Sequence, residues 1–312
     1  MAASDAGPEA FDVIVYGLVC LDMLLRLPAL PPPGGAVRIA EEQKTVGGEA
    51  ANTAIALARW GLRVALVGNA LGDDSEGRLV RELLARNAPS LETRFVGTSP
   101  LVRTSVPIIL ATPDGNKTIL GRGTEHLDFP PLDHRLAQSA RLLTVDSGAG
   151  EAGVHACEVA RAAGLPILAM DYQDYPAVMG AARLVLLSRD NLSETDVAEE
   201  PGRIAAALRD RYGRTIIITC GGEGCYVAEA GEAFGESYFV PAYVAPTILD
   251  TTGAGDIFRA GLIYGALRDW DLLQTVRFAS AAAALSCGSI GGSDGVRSVE
   301  EITAFQVARN GD

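Results

Sequence analysis

The chain has 312 residues, 48% of them hydrophobic and 21% charged. That length suits one large α/β domain or two ordinary ones, and the composition excludes a disordered, collagen-like or disulfide-scaffold chain. Acidic residues number 39 against 26 basic ones, and the net charge of -13 repels phosphate backbones and anionic membranes, so neither nucleic acid nor membrane is an expected partner.

The first ten residues are acidic and small, unlike the basic and then apolar pattern of a secretory leader, and no apolar run approaches the roughly 18 residues of a membrane span. Five cysteines, odd in number and without a CxxC pair, suit reduced thiols, and a cytoplasmic location is expected. A first strand is predicted at 12–17, followed by a Pro-rich linker over 28–35. Residues 37–46 lack helical spacing; 49–60 read as a helix stopped by Gly61, and 63–68 as a strand. The stretch 102–120 reads as a β-hairpin with Asp114-Gly115 at its tip. Segments 37–46 and 102–120 together predict a small β lid beside the main body. Strands at 142–145, 166–170, 184–187 and 215–219 follow, with a helix over 151–163 stopped by Gly164. This alternation predicts a single three-layer α/β/α domain over 1–312 with a mainly parallel central sheet.

The strongest chemical signal is Asp250-Thr251-Thr252-Gly253-Ala254-Gly255-Asp256, directly before a helical pattern over 257–267. Small residues opening a helix leave backbone N–H groups pointing outward at the positive end of its dipole, which suits a phosphate. Asp256 reads either as a base for an attacking hydroxyl or as an ordinary N-cap. A dinucleotide fingerprint would need a third glycine where Phe258 stands, and neither Lys44 nor Lys117 sits in a P-loop frame. Gly291-Gly292-Ser293-Asp294-Gly295 matches a nucleophile elbow, yet His126, His134 and His155 all precede it, so it reads as a tight glycine loop. A second glycine pair, Gly47-Gly48, also opens a helix, with Asn52 one turn inside; Asp22, just after the first strand, suits a grip on sugar hydroxyls.

Taken together these motifs resemble the ribokinase, or PfkB, family of carbohydrate kinases. One family signature stands as Gly47-Gly48-Glu49-Ala50-Ala51-Asn52-Thr53-Ala54 and the other as Asp250 to Phe258, closed by Gly261; the likeness runs over about 12–302. The resemblance implies phosphoryl transfer from ATP to a hydroxyl of a small sugar, with Asp256 as base and Gly253, Ala254 and Gly255 as the anion hole. It implies that Asp22, Gly47, Gly48 and Asn52 hold the acceptor, with Asp146 either a further contact or a strand-end turn residue. By the same likeness Thr219, Gly221, Gly224 and Ser280 lie near the nucleotide. Mg²⁺ would be organised by Asn191 and Glu194, or by Ser188 and Asn191 if the strand ends at Leu187. K⁺ would sit among Asp250, Thr252, Ser286, Ser289, Gly291 and Gly295. Glu49 departs from the lysine of ribokinase itself. A nucleoside kinase remains the alternative. Less favoured are a phosphofructokinase using Arg38, Lys44 and Arg103, and a non-catalytic sugar sensor. The exposed edges of a lid sheet suggest a homodimer.

Overall fold

The computed structural model describes residues 11–113, 117–123, 127–192, 200–231 and 236–309. Apolar, β-branched strands build its body. In chain order the elements are β1 (Val13–Gly17), β2 (Cys20–Arg26), β3 (Glu41–Gly47), α1 (Glu49–Arg59), β4 (Val64–Gly68), β5 (Leu71–Gly72), α2 (Ser75–Asn87), β6 (Thr98–Ser99), β7 (Ile108–Ala111) and β8 (Lys117–Leu120). After these come α3 (His134–Gln138), β9 (Leu143–Asp146), α4 (Gly150–Ala162), β10 (Ile167–Met170), α5 (Pro176–Ala181), β11 (Leu184–Ser188), α6 (Pro201–Tyr212), β12 (Thr215–Thr219), β13 (Gly224–Ala228) and β14 (Tyr238–Pro241). Three helices close the chain, α7 (Ala254–Leu267), α8 (Leu272–Ser286) and α9 (Val299–Arg309).

The main sheet has the order β14-β13-β12-β11-β10-β9-β1-β4, parallel from β12 to β4, with an antiparallel meander of β13 and β14 at one edge. Alternate side chains of β1 enter different cores: Val13 and Val15 pack with α1, α2, α7 and α8, while Ile14 and Tyr16 pack with α3 to α6. Because both faces are covered, β1 and β4 are buried at every position, which is why they read as continuous apolar runs rather than alternating ones. The predicted three layers and mainly parallel sheet are present.

A second, four-stranded sheet in the order β3-β2-β7-β8 holds strands from both segments expected to form the lid. Its hairpin of β7 and β8 lies where the sequence predicts it, with Ala111 paired to Lys117; the predicted tip, Asp114-Gly115, lies outside the described residues. Residues 37–40 and 102–107 are not in strands. Asp22 lies just after β1, as expected, and sits within a strand of this second sheet, Cys20–Arg26, paired antiparallel to β3 and parallel to β7. The run from Val13 to Leu25 is nearly all apolar, so nothing local marks where the chain leaves one sheet for the other. Tertiary pairing decides it.

Candidate active site

In an open parallel sheet, ligands bind beyond the carboxyl ends of the strands, where the strand order reverses. Here β1 is flanked by β4 on one side and β9 on the other, which makes it the reversal point. Polar residues collect at that end: Asp146 closes β9, Asp171 follows β10, Ser188 closes β11 and Thr219 closes β12. The amino ends of α1 and α7 meet there too, since Asn52 Nδ2 donates to Asp256 Oδ2 at 2.8 Å.

The amino end of α7 owes its shape to Gly253, which has φ 75° and caps the helix without a side-chain hydrogen bond. A side chain at this position would be strained, and its Cβ would collide with the Gly292 carbonyl. Ala254 N–H donates to the Thr251 carbonyl at 3.3 Å, closing the turn. The N–H groups of Gly255 and Asp256, in the first helical turn, have no intrahelical acceptor, an arrangement that suits an anion. Asp256 is buried, and burial pushes its carboxyl up to about 7, against the opposing pull of Arg259 and the Asn52 hydrogen bond. A carboxylate poised near neutrality is suited to take a proton.

Glu49 and Asn52 lie one turn apart on the same face of α1. Glu49 is held well above the usual carboxylate range, first by burial and then by Asp146 and Asp256. Asp146 is fully buried and raised to about 6 by burial, although the Arg259 guanidinium is 3.5 Å from its Oδ2 and Leu18 N–H donates to its Oδ1 at 3.2 Å. Asp22 enters from the lid. Burial raises it to about 6, against a hydrogen bond from the Cys20 thiol at 3.3 Å. It packs directly against Gly47, where any Cβ would overlap its carboxylate. Gly48 caps α1.

Three residues to which the sequence reading gave no site role complete the network. Arg259 is fully buried; its Nε donates to Thr53 Oγ1 at 2.9 Å and its Nη2 donates to the Glu49 carbonyl, while Thr53 Oγ1 donates to the Asp256 carbonyl at 3.2 Å. An arginine inside an otherwise apolar helix, three residues after Asp256, was the available signal. Asp171, with φ 58°, accepts from Ser188 N–H and from Asn191 Nδ2, both at 2.8 Å. Positive φ at an aspartate is uncommon and gathers at functional sites. Asp294 accepts from Gln43 and Thr45, at 3.3 and 3.2 Å, and so ties lid strand β3 to the glycine loop.

The residues expected near a nucleotide also come together. Gly221 follows β12 and Thr219 in a short turn, and Cys220 N–H donates to the Gly224 carbonyl at 2.8 Å. The Glu223 carbonyl accepts from Ala242 N–H, and the next residue, Tyr243, donates its N–H to Ser280 Oγ at 3.2 Å. For the divalent cation, β11 ends at Ser188 and Asp171 joins Ser188 to Asn191; Glu194 lies outside the described residues. The Asn191 amide nitrogen is spent on Asp171, which leaves its oxygen as the available donor atom.

Six residues expected around a monovalent cation are adjacent. Gly291 N–H and Thr252 N–H each donate to Asp250 at 2.9 Å, Leu249 N–H binds the Cys287 carbonyl, Ser289 N–H binds the Ser286 carbonyl, and Gly295 packs on that same carbonyl. Thr252 Oγ1 is buried without a hydrogen-bond partner, and an all-oxygen donor set with such an orphan fits a hard monovalent cation. Among the described residues, no group of three or more His, Cys, Asp or Glu side chains could hold a metal ion.

The model of the pfkB family of carbohydrate kinases matches residues 10–298. The chain belongs to that family. Ribokinase from Haemophilus influenzae is 26% identical over 307 residues, spanning 93% of this chain and 97% of its own. The ATP-dependent ribose-1-phosphate kinase of Halopiger xanaduensis is 30% identical over 295 residues, spanning 89% and 93%. In fold, the ribokinase of Arabidopsis thaliana, solved with ribose and ATP, superposes with a TM-score of 0.78 at 19% identity over 95% of this chain and 99% of its own. This pfkB member is thus an ATP-dependent sugar kinase. Among its described residues no helix is long and apolar enough to cross a membrane.

Proposed function

We propose that this kinase phosphorylates a hydroxyl of a small free sugar bound between lid and sheet, with Asp256 as the base. The carrying observation is Asp256 itself: a buried carboxyl poised near neutrality, oriented by Asn52 and set beside two unbonded N–H groups. The acceptor hydroxyl gives its proton to Asp256, its oxygen bonds to the γ-phosphorus, and the bond to the β-bridging oxygen breaks to release ADP. In a loose, metaphosphate-like transition state the enzyme mainly positions the two oxygens in line and offsets charge. The N–H groups of Gly255 and Asp256 serve that end. Asp22, Asn52 and Asp146 orient the acceptor, while Thr219, Gly221, Gly224 and Ser280 border the nucleotide. The test is ADP release from ATP with Mg²⁺ and K⁺ across ribose, fructose, other ketoses and nucleosides. Turnover with a free sugar supports the reading; turnover with nucleosides alone replaces it.

Asn191 with Asp171 behind it would hold Mg²⁺, which when bound offsets charge on the transferring phosphoryl group. Asp250, Thr252, Ser286, Ser289, Gly291 and Gly295 would hold K⁺ close behind the anion hole. Asp250→Ala is therefore expected to lower kcat about tenfold or more and to abolish any difference between potassium and tetramethylammonium salts, within the range of a lost electrostatic contribution of one to a few kcal/mol. An undiminished potassium response in that variant would remove the loop from this role.

The outer lid strand exposes Ile119 (55%) and Leu120 (48%), and an open, apolar edge strand favours pairing with a second copy. Sedimentation velocity should find a species of twice the chain mass, which Ile119→Lys should dissociate. A monomer at all concentrations would contradict the pairing.

A further inference from the structure

The turns at the carboxyl ends of the parallel strands are poor in positive charge. Among the described residues of the turns that follow β1, β4, β9, β10, β11 and β12, Arg189 is the one cation. The same turns carry Asp171, Asp174, Asp190 and Glu223. Arg259 is fully buried beside Asp146, and Arg183 and Arg214 stand at the amino ends of β11 and β12, the opposite edge of the sheet.

Arg189 directly follows β11 in a short turn whose two ends are fixed, since Ser188 N–H and Asn191 Nδ2 both donate to Asp171 at 2.8 Å. Its side chain reaches across to the turn after β12, where Nη2 lies 2.7 Å from Glu223 Oε1. The hydrogen bond from Arg189 holds the Glu223 carboxyl below its ordinary range, so both partners are charged at neutral pH. Their side chains are 37% and 66% exposed, and an ion pair so open to water contributes little by itself and opens at little cost.

Strand order places this pair along the path of a nucleotide. β11 lies between β10 and β12. The amino end of α7 stands over the end of β10, because a Cβ on Gly255 would be 3.5 Å from the Met170 methyl carbon. β10 and β12 are about 10 Å apart, two strand spacings. A polyphosphate running from the turn after β12 to the amino end of α7 therefore passes over β11, and over Arg189, midway.

Resting on the nucleotide placement proposed above, we infer that Arg189 binds the β-phosphate of the nucleotide and that Glu223 holds its place in the free enzyme, so that ATP or ADP enters by displacing the carboxylate. The planar guanidinium fork fits a phosphate as well as it fits a carboxylate. During transfer, negative charge grows on the departing ADP, and a guanidinium on its β-phosphate offsets that charge.

The experiment is calorimetric titration of the full chain with ADP and with AMP in the presence of Mg²⁺. Arg189→Met is expected to weaken ADP about tenfold or more, the scale of a lost hydrogen bond to a charged group, while AMP, which lacks the β-phosphate, binds as it does to the parent. Arg189→Lys keeps the charge without the fork and should fall between. Glu223→Gln removes the competing charge and should tighten ADP. Both side chains reach solvent, so the variants should melt with the parent. An ADP affinity that Arg189→Met leaves unchanged overturns the inference, as does an equal loss for ADP and AMP, or a Glu223→Gln enzyme that fails to bind ADP more tightly. Amide hydrogen exchange over residues 219–224 tests the placement separately. Protection there by ADP, with an unaltered affinity in Arg189→Met, overturns the role of Arg189 alone. No protection there ends the nucleotide placement and this inference with it, and a parent enzyme that binds no ADP ends the kinase reading as well.

Discussion

Asp256→Asn is expected to lower kcat by about 10³-fold or more while ATP and sugar binding persist, since general-base contributions run to about 10²–10⁴ and the amide cannot take the proton. The substitution keeps the shape of the side chain and an oxygen for Asn52 Nδ2 to bind. In the parent enzyme, kcat should fall as pH drops through about 7, because the base must be ionised and burial has raised it to that value. Stability should move the opposite way from activity. A carboxyl whose folded pKa lies above its unfolded one binds its proton more tightly in the native state, so it costs stability as pH rises from about 4 to about 7. Asp256→Asn removes that cost, and its melting temperature at pH 8 should exceed the parent's. Calorimetry at pH 5 and pH 8 together with single-turnover kinetics reads both effects. Near-parental kcat in the variant would take Asp256 out of the chemistry.

Arg259→Met should produce the largest loss of stability of any single change in the site. Breaking a buried ion pair from one side leaves uncompensated charge, typically at about 3–5 kcal/mol, and here the residue left behind, Asp146, is as fully buried as Arg259 itself. The deficit should depend on pH. With the cation gone, the carboxyls that stand at about 6 and about 7 for Asp146 and Asp256 climb further, so they are neutral in acid and charged in base. The variant should therefore approach the parent near pH 5 and diverge from it by pH 8 in urea unfolding. The acid limb of its kcat profile should move up by about one pH unit, the low end of what an adjacent opposite charge contributes. Arg259→Lys keeps the charge but not the three-way fork, and should recover the pH profile better than the stability. A loss of stability independent of pH would mark Arg259 as a packing residue only.

The two glycine-opened helices were legible because each is decided locally. Gly47-Gly48 and Gly253-Ala254-Gly255 make their free N–H groups and open approaches from adjacent residues, and the structure brings the two helix starts together. The parallel strands were legible for the same reason, their apolar runs reporting burial on two faces. That Asp22 belongs to a strand of the second sheet was not legible, because a nearly all-apolar run does not show where one sheet ends and another begins. Asp171 went unremarked, and Asp294 was read only as part of a tight glycine loop, since each acts on partners remote in sequence, namely Ser188 with Asn191 and Gln43 with Thr45.

From sequence alone, then, come the α/β architecture and the glycine-opened start of α7 with Asp256 in its first turn, all set by short-range spacing and backbone geometry. Tertiary structure alone decided which carboxylates share one space, which cation stands among them and how far burial raises each. Those quantities depend on distance and desolvation between residues that only folding brings together.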